Sequence, residues 1–112
     1  MEDITIEKSS GNVFADLGFN EPDVCLAKAD LAMKIAQIIH RRHLSQQQAA
    51  ELLGITQPNV SAIFSGRLQG FSLEKLMLLL TALGRDVVIT VKPKSHTREH
   101  GRLSVARSGS EV

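Results

Sequence analysis

The sequence contains no tryptophan, no tyrosine and a single cysteine among its 112 residues, and only 4% of it is aromatic. So few rings argue against a stacking platform for single-stranded nucleic acid, which needs exposed aromatic faces. They also leave the core to aliphatic side chains. One thiol, Cys25, cannot form an internal disulfide, which suits a reducing, cytoplasmic setting. An excess of one charge is lacking as well. The net charge is +1, so no global positive field marks a polyanion partner, and any phosphate contact must come from local placement. No apolar run reaches the roughly 18 residues of a membrane span. The opening MEDITIEK has neither the basic start nor the apolar stretch of a secretory leader. What remains is 43% hydrophobic and 22% charged, the composition of one small globular domain.

Three regions follow from the local patterns. Residues 1–22 form an N-terminal segment in which ITIE alternates like an edge strand, SSGN is a turn cluster, and a turn of helix fits around Phe14 to Leu17. Residues 23–92 carry the domain. A long helix is expected over 23–43, with Val24, Ala27, Leu31, Ile35, Ile38 and Ile39 on its inner side. Cys25 is expected near its core, and Pro22 in its first turn costs no hydrogen bond. Arg41, Arg42 and His43 in the last turn complement the helix dipole, and a phosphate contact is compatible with that role. Residues 93–112 are polar, basic and without period, and read as a disordered tail.

Within the domain, Ser45 caps a helix over 46–53 whose inner face is Ala49, Leu52 and Leu53, and Gly54 ends it. Thr56 caps a second helix with Pro58 in its first turn. Val60, Ile63 and Phe64 form its buried stripe, and Gly66 closes it. After RLQGF, Ser72 caps another helix with Leu73, Leu76, Met77, Leu80 and Leu83 on one side. Leu78 and Leu79 widen that apolar surface beyond one core face. DVVITVK, at 86–92, alternates β-branched residues up to Pro93 and reads as a strand.

Two short helices joined by a glycine turn make a helix-turn-helix. Ala50 lies where the helices cross, Gly54 permits the reversal, and Val60 with Ile63 pins the second helix back. Gln57, Pro58, Ser61, Ala62 and Ser65 are then left facing outward. This flank, with Asn59 beside it, carries no charge. Glutamine and asparagine amides present a donor next to an acceptor and match the adenine edge in the major groove, while small residues permit close approach and a methyl can touch thymine. Gln46 and Thr56 at the two helix starts, and Arg67 just past the second helix, are the phosphate candidates. The plainer alternative is an ordinary helical hairpin that happens to be rich in amides.

LSQQQAAELLGITQPNVSAIFSGR resembles the helix-turn-helix of the Cro/repressor class, the XRE family. SSGNVFADLGF before it and GFSLEKLMLLLTALGRDVVITVKP after it are similar to HigA-like antitoxins of toxin–antitoxin pairs. The resemblance covers roughly residues 23–92. It implies an all-α, lambda-repressor-like bundle of about five helices that dimerises on a palindromic operator. It places base contacts at Gln57, Pro58, Ser61 and Ala62 and a phosphate contact at Gln46. Pro58 departs from the Gln, Ser or Arg more frequent at that step.

The strand over 87–91 must satisfy its backbone groups by pairing with ITIE or with its copy in a second subunit. The symmetric pairing is favoured, because Leu78 and Leu79 also need cover, and it would set two recognition helices about 34 Å apart, one turn of B-DNA. The expected partners are therefore double-stranded DNA, a second copy and, by the resemblance, a small basic toxin. No metal, cofactor or reaction site is expected. His96 and His100 lack a third ligand, and no base is spaced to activate Cys25. A module that chiefly neutralises a toxin, with DNA contact secondary, is the competing reading.

Overall fold

The structure is a computed structural model that describes residues 21–106. Four helices occupy them: α1 Glu21–Arg41, α2 Gln46–Leu53, α3 Gln57–Ser65 and α4 Leu73–Ala82. The expected helical turn at 14–17 and the ITIE strand lie outside the described residues. Five helices are therefore not seen, and four are what the described chain shows.

The core is aliphatic, as the scarcity of rings requires. Ile35 and Ile39 of α1, Val60 of α3, Leu76 and Leu79 of α4, and Leu83 just beyond α4 are its largest fully buried side chains. α1 is the spine, packing against both α3 and α4, while α2 packs against α3 and more lightly against α4. The link between α3 and α4 belongs to the core too, since Leu68 and Phe71 are buried there.

All four helices stop in the same way. Past each end one residue takes a positive φ, and the next N–H reaches the carbonyl five residues back: Leu44 to Ile39, Ile55 to Ala50, Arg67 to Ala62 and Arg85 to Leu80. The left-handed residue is Gly54, Gly66 or Gly84 after α2, α3 and α4, and His43 after α1, with φ 56°. Hence α1 ends at Arg41 and not at 43. The side chain of Arg42 then turns to the end of α4, where it donates a hydrogen bond to the Leu83 carbonyl. Neutralising that carbonyl end satisfies a group the helix leaves open. Arg42 thus serves the fold through one nitrogen while staying exposed, which is compatible with a phosphate contact from the rest of its guanidinium.

Four further expectations are corrected. No strand forms over 86–92, where the described chain is irregular, and Val88, Ile89 and Val91 are 82%, 71% and 91% exposed. No ladder partner for it lies among the described residues, and without one its propensity goes unused. Leu52 and Phe64 are half outside, at 46% and 41%. A residue turns by about 100° per step along a helix. Leu52 and Phe64 therefore point well away from the centres of Ala49, Ala50 and Leu53 in one helix and of Val60 and Ile63 in the other. Cys25 is exposed, one position off the buried Val24. Finally, the segment beyond Pro93 returns to the domain, with Leu103 and Val105 partly buried against the core.

Replacing His43 with glycine should raise stability by about 1 kcal/mol, because glycine enters the left-handed region without the Cβ penalty. Gly54→Ala should lower it by about as much. An added Cβ at 54 would meet nothing within 4 Å, so the loss is conformational and not steric. Chemical denaturation of both variants reads the two opposite signs.

Candidate nucleic-acid interface

Two caps fix the starts of the paired helices. At α2 the Ser45 hydroxyl accepts from the Gln48 N–H at 3.0 Å, and Gln48 Oε1 accepts from the Ser45 N–H at 2.8 Å. This reciprocal box uses the N–H groups of residues 45 and 48. Those of Gln46 and Gln47 are left pointing along the axis with no carbonyl to reach within the helix. The box is legible as S-x-x-Q, although only its serine stands out on a first reading. At α3 the Thr56 hydroxyl accepts from the Asn59 N–H at 3.3 Å. Pro58 has no N–H to offer, so Gln57 supplies the helical N–H that remains. The α2 start therefore has more open donors for an anion than the α3 start.

α3 is held by its apolar side. Val60 and Ile63 are 0% and 3% exposed and join the same cluster as Ile35, Ile39, Ala49 and Ala50. Their burial decides which flank faces out. Gln57, Pro58, Asn59, Ser65 and Arg67 are exposed, whereas Ser61 and Ala62 are half-buried, as is Gln46 on α2. The expected flank is thus brought together on one helix, with Ser61 and Ala62 as its floor. The Ser65 hydroxyl donates to the Ala62 carbonyl at 3.2 Å, which leaves its oxygen to accept. Gln47 is committed sideways to Glu51 at 3.3 Å.

Between residues 44 and 72 the charged side chains are Glu51 and Arg67 alone. The surface can therefore offer directional hydrogen bonds but little net field. Phe64 sits beside it and lines a shallow open depression with Met33, Ala36, Gln37, His40 and Arg41 of α1. An exposed ring at this place was not legible in the stripe that seemed to bury it. No described helix is long and apolar enough to cross a membrane.

Comparison with known proteins agrees with this geometry. Residues 13–92 match the family described as a helix-turn-helix domain. A solved structure provisionally named as an XRE family transcriptional regulator is 42% identical, with a TM-score of 0.73, over 80% of this chain and 100% of that one. No curated protein matches the chain. The chain belongs to the helix-turn-helix family, as an XRE-type member.

Proposed function

We propose that this protein is a transcriptional regulator that binds double-stranded DNA through α3, as a binding protein and not an enzyme. The carrying observation is the outward, uncharged amide flank of a helix whose opposite side is fully buried. The name of the 42% identical structure supports regulation of transcription as the outcome. Gln57, Asn59, Ser61, Ala62 and Ser65 face the base edges in this reading, with Pro58 lending shape and no donor. Gln46 and Thr56 at the helix starts, with Arg67, hold the phosphates.

We propose further that two copies bind a palindromic operator. The exposed segment at 87–91 supplies the means. Val87 is partly buried, Ile89 and Val91 are exposed, and no ladder partner for this backbone lies among the described residues. Were the segment to extend, these three alternating residues would share one side. Antiparallel pairing with its own copy would bond those groups and cover the apolar side. It would also relate the two α3 helices by a two-fold axis. An antitoxin that represses its own operon is the specific role we favour, on the likeness to HigA-like antitoxins. A toxin that adds a strand to the same edge is the alternative occupant.

Gln57→Ala should cost about 1–3 kcal/mol on the operator and relax preference at one base pair, while Arg67→Ala weakens binding to every duplex and lowers the salt slope by about 1. Titration of operator and scrambled duplex separates these outcomes, and equal behaviour of the two variants contradicts the assignment. Ile89→Asp should shift the protein from dimer to monomer in analytical ultracentrifugation with the helical content unchanged. Retention of the dimer would exclude the strand as its interface.

A further inference from the structure

Charge is spread unevenly along this chain. Residues 21–91 hold seven Lys/Arg against six Asp/Glu, whereas residues 92–102 hold Lys92, Lys94, Arg98 and Arg102 against Glu99 alone. Between residues 44 and 72 the one cation is Arg67, with Arg41 of α1 across the depression that Phe64 lines. Arg42, at the end of α1, is exposed and spends one nitrogen on the Leu83 carbonyl. DNA carries a negative charge about every 1.7 Å of helix axis, and most non-specific affinity comes from neutralising it. A surface of amides with so few cations discriminates well and holds weakly.

We infer that residues 92–102 form a second DNA contact, one that binds phosphates along the backbone and is blind to sequence. The inference rests on the DNA-binding reading above. The segment is tethered at both ends: Val87 before it, and Leu103 and Val105 after it, are partly buried against the core. It is bent midway by a local turn, in which the Arg98 N–H reaches the Ser95 carbonyl at 3.2 Å and the Thr97 N–H reaches the Ser95 hydroxyl at 3.2 Å. Lys92, Lys94 and Arg102 are exposed along it, and Arg98 is half-buried with one guanidinium nitrogen 3.4 Å from the His100 carbonyl. A chain pinned in this way loses less freedom on binding than a free tail would. Its cations are thus held ready on the same body as α3.

The test uses the full chain with Lys92→Gln, Lys94→Gln, Arg98→Gln and Arg102→Gln combined. Fluorescence anisotropy is followed across a salt series, on duplex from upstream of the gene and on a scrambled duplex. Each phosphate contact contributes about 0.9 to the slope of log K against log salt, so the variant's slope should be shallower by about 3–4 per protomer. Affinity should fall by the same factor on both duplexes, leaving their ratio unchanged. An unchanged slope overturns the inference, as expected if the cations are only solvated. A changed ratio also overturns it, since the contact would then read sequence. If the unsubstituted protein binds neither duplex, the DNA-binding reading fails and this inference falls with it.

Discussion

The burial of Val60 and Ile63 against α1 and α2 is the constraint on which the rest depends. Each side chain removed from water contributes about 1.5–3 kcal/mol, far more than any hydrogen bond the α3 surface could make with solvent. α3 is only nine residues long, so it would be marginal alone, and packing is what holds it helical. Fixing its rotation about its own axis also fixes what it shows to the outside. Neither Gln57 nor Asn59 is chosen by the core. Both are exposed because the core has claimed Val60 and Ile63 in their place, Asn59 lying to one side of the flank that Gln57 begins.

The helix ends serve the same purpose. α2 and α3 are separated by three residues, and their relative angle depends on Gly54 in the left-handed region and on the Ser45 and Thr56 caps. α1 and α4 are tied at their ends by Arg42. The scaffold therefore presents a rigid surface, and rigidity suits a site that discriminates by hydrogen-bond geometry. Division of labour follows. Under the proposed function, the amides near α3 would distinguish bases, while charge placed elsewhere would supply attraction.

Much of this was legible in the residues. The two caps, Gly54 as stop and the inward Val60 and Ile63 follow from short-range rules, and the bounds of α2 and α3 lie where those rules put them. Three things were not legible, each for a physical reason. Leu52 and Phe64 are apolar, and composition alone does not tell a core position from one turned by an extra step. His43 occupies a conformation that glycine usually fills, so nothing marked the true end of α1. The strand propensity of 87–91 is real, but pairing needs a partner, and none lies among the described residues. Arg42 shows the same limit for charge, because a carbonyl forty-one residues away decides its role.

The account's central claim is that the amide flank of α3 meets base edges. Side-chain NH2 resonances of Gln57 and Asn59, followed by NMR as duplex from upstream of the gene is added, test it directly. Large shifts are expected at these two with that duplex, and no such shifts with scrambled duplex. Unmoved Gln57 and Asn59 signals on a duplex that demonstrably binds would contradict it.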